Sequence, residues 1–454
     1  MLSQYPCRSP AVSDACLRAL WLLVLLLGSA GVTADAFERH TAHGGPVRGL
    51  ALSPDGRWLV STSFDYTAVL WSVDGLTERR RLIGHEAAVN AAAFSPDGRF
   101  LVTAGDDLTL RVWSLDELLD DRRTPQPRVL RGHTAKVVHL SFSPDGHWLA
   151  SSSWDHSIGL WAVPGFTLRG FLSAHEGPVN AAQFSSDGRQ LYSAGGDGHI
   201  RLWDLRSGKY LKSVVENGWG INVLAVDEGL DLIAYGTANG RMRSASLSGT
   251  RPRHDYVVDG KPVLALALDS ASRRIAFGDA QGRVVIATID GDIQRDFHAV
   301  MGPVWCLALM PGGESLVFAG LDDFVTRMPL DDAFLPAPLV SQGALRFDLN
   351  SQQDNGAQQF ARKCSVCHSL DANDRRRAGP TLYGVVGRRA GSLPGYPFSA
   401  ALSGAHLVWD EKTIDALFRE GPEVVTPGSK MPLQRIDSAT DRRDLIDFLK
   451  TAAH

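Results

Sequence analysis

What this sequence has little of narrows it first. Five cysteines stand in 454 residues, at positions 7, 16, 306, 364 and 367. They are too few and too scattered for a disulfide-stapled scaffold. Neither sign of charge dominates: 46 Lys and Arg against 50 Asp and Glu leave a net charge of −4. That balance argues against nucleic acid as a partner of the whole chain. The imbalance is local, about −6 over residues 37–343 and about +2 over residues 344–454, a mild dipole between the two parts. Long apolar runs are missing too, with one exception. ALWLLVLLLGSAGV (residues 19–32) follows Arg8 and Arg18 and precedes Ala34-Asp35-Ala36. A run of about 14 residues is short for a membrane span but suits the core of a signal peptide with an A-x-A cleavage site. The expectation is export, with residues 1–36 removed by cleavage after about Ala36 and no membrane span left; the alternative is an uncleaved N-terminal anchor. Cys7 and Cys16 leave with the signal, and Cys306, in the apolar run VWCLAL, reads as a buried inert thiol.

Helical periodicity is absent from the next three hundred residues or so, and a repeat stands in its place. SPDG recurs at Ser53, Ser95 and Ser143, with SSDG at Ser185, a period near 42 residues. After each turn come an apolar run, an aspartate and, six residues later, a tryptophan: Asp65/Trp71, Asp107/Trp113, Asp155/Trp161 and Asp197/Trp203. A histidine precedes each turn, at His43, His85, His133 and His175. The 45 glycines and the Gly/Asp/Pro turns read as short alternating strands. One such unit cannot cover its own two faces and must stack on neighbours, as the blades of a ring do.

The GH, SPDG and terminal Trp signatures resemble the WD-repeat β-propeller family. Three weaker units continue the period from Ile221, Pro262 and Pro303, with Ala245, Ala287 and Met328 at the tryptophan position. Seven blades over residues 37–335 are expected, with FERHT (residues 37–41) closing the ring against the last blade. The resemblance implies that His85, His133 and His175 hydrogen-bond within their blades rather than do chemistry. His147, His156, His199 and His254 lie on predicted turns or strand ends without metal-like spacing. In this family the residue before the blade aspartate points to the top face; here these are Phe64, Asp106, Trp154 and Gly196. Phe64 and Trp154 are therefore candidate docking residues for a protein partner, or else pack on neighbouring loops.

DDAFLPAPLVSQG then reads as an extended connector, with residues 336–350 as linker and residues 351–454 as a second, small all-α domain. Its central motif is CSVCH, Cys364 to His368. A structural zinc site needs four ligands, and no cysteine follows Cys367. A redox dithiol wants a βαβ context, whereas the flanks DNGAQQFARKC and DRRDLIDFLKTAA are helical. A histidine directly after the second cysteine favours covalent haem attachment, with the imidazole placed to bind iron. Met431, in PGSKM, is the domain's lone methionine and its candidate second axial ligand, with His406 as the alternative.

AGPTLYGVVGRRAG, PGYPFSAAL, VWDEKTIDALF, PGSKM and DLIDFLK, in this order, resemble class I c-type cytochromes of the mitochondrial kind. The resemblance covers residues 351–453. It implies one haem c bound by thioether bonds to Cys364 and Cys367, and iron ligated by His368 and Met431. It implies that the Pro380 carbonyl orients the histidine ring, and that Arg388, Tyr396 and Trp409 hold the propionates. Gly356, Phe360 and Phe448 match the contact between first and last helices. Phe398 stands where a second tyrosine is common, and Leu417 where a tyrosine bonds the methionine sulfur. Lys363, Arg375–Arg377, Arg389 and Lys430 are candidates for a basic docking rim, or are solvated surface.

Two functions are expected from this combination. The first is a periplasmic electron carrier whose propeller docks a redox protein, donor or acceptor. The second is an oxidoreductase whose propeller holds a substrate or second cofactor. No nucleophile–base signature is found in the propeller.

Overall fold

Each repeat begins with a turn that its own residues dictate. Pro54 presets its φ, and Gly56 takes φ +69, in the left-handed region open to glycine. The Ser53 hydroxyl donates to the Asp55 carboxylate at 2.5 Å and accepts the Trp58 amide at 2.9 Å. The same bonds recur at Ser95, Ser143 and Ser185. These turns set the register of the hairpins they join.

The computed structural model describes residues 37–41, 43–250, 254–258, 260–300, 302–330, 354–365, 367–373, 379–396, 398–429, 431 and 434–452. The expected signal peptide (1–36) and linker (336–350) lie outside the described residues. Strands from Glu38 to Pro329 form seven antiparallel sheets of four strands each. The fold class is thus a seven-bladed propeller followed by a helical domain. Strand β1 (Glu38–Thr41) pairs with Phe324–Pro329 in the last blade, Glu38 opposite Arg327 and Thr41 opposite Phe324. The first strand of the chain therefore closes the ring, as FERHT was expected to do.

Four blades share one buried polar relay. In the third, the Trp161 indole N–H donates to Ser151 Oγ at 2.9 Å, and that hydroxyl lies 2.7 Å from His133 Nε2. His133 Nδ1 lies 2.7 Å from Asp155. A carboxylate only accepts, so Nδ1 carries the proton and Nε2 accepts from serine. His43, His85 and His175 repeat the arrangement with Asp65, Asp107 and Asp197. The strand-borne tryptophans fill the blade cores, Trp71, Trp113, Trp161 and Trp203 each being 2 % exposed. In the sixth and seventh blades the relay is replaced by apolar packing: Ala287 and Met328 are buried, with Phe277 and Phe318 fully enclosed.

Adjacent blades are also tied side chain to backbone. The amides of Asn90, Asn180 and Asn222 donate to the Val137, Ile221 and Val263 carbonyls of the next blade, at 3.0, 2.9 and 3.0 Å. One feature departs from the all-strand expectation. A short helix, α1 (Leu115–Leu119), interrupts the second blade, and buries Leu115 and Leu118 under Leu82. Five residues are too few for a helical period to show in the sequence.

The C-terminal domain has helices α2 (Asn355–Lys363), α3 (Ala400–Ser403), α4 (Glu411–Glu420), α5 (Pro422–Val425) and α6 (Ala439–Ala452). Asp354 caps α2, and Asp410 with Thr413 forms a reciprocal capping box on α4. Helices α2 and α6 meet face to face. A Cβ added to Gly356 would sit 2.2 Å from the Asp444 carbonyl oxygen, so only glycine permits this approach. Phe360 and Phe448 stack beside it with ring centroids 5.6 Å apart.

His133→Ala leaves Ser151 and Asp155 buried with unmet bonds and is expected to destabilise the propeller by about 1–3 kcal/mol. The same change at the exposed turn residue His147 should stay within about 0.5 kcal/mol; denaturant midpoints of both variants check this. Acid should act on the same relay. Burial alone would raise the Asp197 carboxyl, but the bonds from His175, the Glu176 amide and Arg201 outweigh it and hold it at about 2. Its folded value is below the unfolded one, so its contribution is complete above about pH 4 and is lost as pH falls toward 2. Thermal melts across that window should drop, and Asp197→Asn should flatten the drop.

Candidate functional site

The CSVCH motif is a continuation of α2. The Cys364 amide donates to the Phe360 carbonyl at 2.9 Å, and the Cys367 and His368 amides both return to the Cys364 carbonyl, at 3.1 and 2.8 Å. This tight turn puts the two thiols and the imidazole on one side of the chain. Cys364 packs into the apolar core of the domain, with Ile414, Leu417, Phe418, Leu445 and Leu449.

The ring of His368 is fixed in both tautomer and direction. His368 Nδ1 lies 2.7 Å from the Pro380 carbonyl. A carbonyl can only accept, so the proton is on Nδ1 and the lone pair is on Nε2, the atom a metal would take. Burial lowers the His368 pKa, and the neutral form it favours is the ligating one. Gly379 makes the room: a Cβ there would lie 2.4 Å from the imidazole.

Across the domain, one cavity of roughly 1160 Å³, its mouth included, is lined by Cys364, Cys367, His368 and Met431. Cofactor and small-molecule sites run to about 1,000 Å³. The remaining wall is mostly apolar and aromatic, with Tyr396, Phe398, Trp409 and Leu417 among its residues. Two thiols, an imidazole with its Nε2 lone pair available and a thioether around an apolar slot are the donors a covalently held haem needs. The thiols do not suit a redox dithiol, whose attacking sulfur has a lowered pKa. Burial pushes Cys364 up to about 12 and raises Cys367 as well.

The other expected residues fall as follows. Arg388 lines the cavity and donates to the Thr381 and Tyr383 carbonyls, at 2.7 and 2.9 Å. Its backbone and that of Gly387 pair with Trp409, at 2.9 and 2.7 Å, so the two motifs that carry Arg388 and Trp409 are fastened together. Burial pushes the Tyr396 phenol well above its usual range. His406 is exposed and is not among the cavity residues, unlike Met431. Lys363 is half-buried and Arg389 exposed, while Lys430 and Arg375–Arg377 lie outside the described residues. On the propeller, Phe64 takes the second of its two readings and packs on a neighbour. It is half-buried against Trp305, ring centroids 5.4 Å apart, because the neighbouring blade offers an apolar face to it. Trp154 is 44 % exposed, with the Lys136 ammonium 3.5 Å from its ring centroid.

Three cavity residues of note are among those not singled out from the sequence. Thr426 and Ser429, whose hydroxyls lie 3.1 Å apart, flank the segment leading to Met431. Their place in TPGSKM was a usable signal. The third, Tyr66, comes from the first blade, and no local pattern marks it.

Gly379→Ala should displace the His368 ring and cost about 1–3 kcal/mol through overpacking. Visible absorption of the haem-loaded variant checks it, as a loss of the low-spin spectrum with the chain still folded.

Comparison with known proteins agrees with this geometry. Residues 37–72, 76–114, 125–162 and 166–204 match the WD domain, G-beta repeat, and residues 353–453 match cytochrome c. The repeat matches stop at the fourth blade, where the tryptophan signature also stops. The chain is 38% identical over 94 residues to a cytochrome c2 of Rhodomicrobium vannielii, spanning 21% of this chain and 74% of that protein. It is 43% identical over 101 residues to a cytochrome c homolog of Rickettsia felis, spanning 22% of this chain and 57% of that one. Cytochrome c of Euglena viridis is 37% identical over 98 residues, which span 22% of this chain and 94% of the relative. Apolar cavity, paired thiols and shared sequence converge: through its C-terminal domain the chain belongs to the cytochrome c family, with covalent haem and electron-transfer chemistry, joined to a WD-repeat propeller.

Proposed function

We propose that the exported chain is a periplasmic electron carrier that passes single electrons through one haem. In this reading Cys364 and Cys367 would hold the haem by thioether bonds, and His368 and Met431 would ligate its iron. Pro380 keeps the histidine ring oriented, and Arg388, Tyr396 and Trp409 face the propionates. The haem supplies the one-electron couple. The chain supplies an apolar site that excludes water and fixed ligands that need not move between oxidation states. The observation that carries this reading is the convergence of Cys364, Cys367, His368 and Met431 on one cavity. With His368 and Met431 as its ligands, the iron would pass electrons rather than bind substrate. Histidine/methionine ligation also favours a higher potential than bis-histidine would.

The propeller is assigned the docking of a redox protein, with Trp154 among its exposed aromatics. One observation favours the oxidoreductase reading. The propeller channel is lined by Arg48, Asn90, His139 and Trp305, with the Arg48 guanidinium 5.3 Å from the Trp305 ring centroid. Such a polar, aromatic channel is able to hold a small molecule.

The purified exported protein is expected to show one low-spin haem, a methionine–iron charge-transfer band, and no second chromophore. Met431→Ala should abolish that band while leaving the haem covalently attached; an unchanged band would refute the ligand assignment. Reduction of the haem by a small substrate, or a second absorbing cofactor, would replace the carrier with the oxidoreductase.

A further inference from the structure

Tyr66 belongs to the first blade, yet it lines the cavity formed by Cys364, Cys367, His368 and Met431. It sits in the turn after strand Trp58–Ser63, with its amide donating to the Ser63 carbonyl at 3.3 Å and φ at +70. An aromatic residue rarely takes that conformation. The conformation is a property of the blade, since Leu108, His156 and Gly198 hold the same turn position at φ 65, 69 and 81. The blade therefore needs a left-handed residue there and does not need a tyrosine.

The Tyr66 side chain has a reason to lie outside its blade. Its phenol is pushed up to about 12, chiefly by burial, with smaller contributions from Cys367 and Asp106. Tyr66 in turn acts on the Tyr396 phenol. It shares the cavity wall with Cys364, Cys367 and His368 of the CSVCH segment and with Tyr396. On the same wall Tyr396 packs on Phe398 with ring centroids 4.6 Å apart. Phe398 brings no hydroxyl to that wall.

We propose that the propeller completes the haem site: the rim of its first blade seats this chain's own cytochrome domain, and the Tyr66 ring closes the haem cavity against water. The inference rests on the cavity being the haem site. Tyr66 is a positioning residue, acting on the haem through its surroundings and not as a ligand. A haem walled in this way is set partly by the propeller in potential, because burial is one of the levers on a haem couple. Water admitted to the cavity favours the more highly charged ferric state and lowers the potential.

The test uses the full-length haem-loaded protein and Tyr66→Gly, which keeps the backbone the turn needs, as Gly198 does in the fourth blade. Its midpoint potential should fall, and its reduction by ascorbate should become several-fold faster, with the methionine–iron band retained. Tyr66→Phe keeps the ring and should stay near wild type in rate. Unchanged potential and rate in Tyr66→Gly would overturn the inference, as would a Phe variant as fast as the Gly variant. A wild-type protein without covalent haem would instead overturn the reading beneath it, before any variant is made.

Discussion

A four-stranded sheet has two faces to cover and, in this chain, nothing but other sheets to cover them with. That constraint governs the first three quarters of the protein. It explains the repeat, the ring, and the use of Glu38–Thr41 to pair with the final strand. It also explains why a blade can lose its polar relay without losing its place. Where the fifth to seventh units drop the tryptophan, Phe277, Met328 and their neighbours fill the same interior. Burying a large apolar side chain contributes about 1.5–3 kcal/mol wherever it packs well. The relay adds orientation more than burial: each histidine ring is held between a carboxylate at Nδ1 and a hydroxyl at Nε2.

The helical domain solves a different problem, that of keeping an apolar slot open next to polar chemistry. Three glycine and proline positions do much of this locally. Gly356 lets the terminal helices touch, Gly379 leaves space for the His368 ring, and the Pro380 carbonyl holds that ring by its N–H. The capping box on α4 and the Asn355 amide bonded to Asp441 and Asp444 keep the helices in register around the slot. Arg442 ties the closing helix to Asp415 and to the Ile436 and Asp437 carbonyls, so that Leu445 and Leu449 face inward. The cavity is in this sense a by-product of helix packing that stops where a Cβ is missing.

Much of this was legible beforehand. The SPDG turns and the Asp/Trp spacing carry their meaning in adjacent residues, as does CSVCH, because turn geometry and a shared helical face are local properties. Met431 was legible by scarcity, as the lone methionine of its domain. Which of its two readings Phe64 takes was not legible locally, because its neighbour Trp305 lies 241 positions away, and only ring closure brings the two blades together. Helix α1 was missed because five residues carry no period, and their two buried leucines answer to Leu82 of another blade.

The sequence by itself determined which chemistry this protein has: the repeat that must close on itself, and the two cysteines, histidine and distant methionine that suit covalent haem. Local spacing is enough for the SPDG turns and for CSVCH, each of which lies within one turn or one helix, and scarcity is enough for Met431. The tertiary structure alone decided what surrounds the chemistry. It put Met431 rather than His406 on the cavity, turned Phe64 inward and Trp154 outward, and brought Tyr66 from the first blade to the cavity wall. For Phe64 and Tyr66 the outcome depends on residues hundreds of positions apart, and a contact of that kind leaves no pattern in the residues on either side of it.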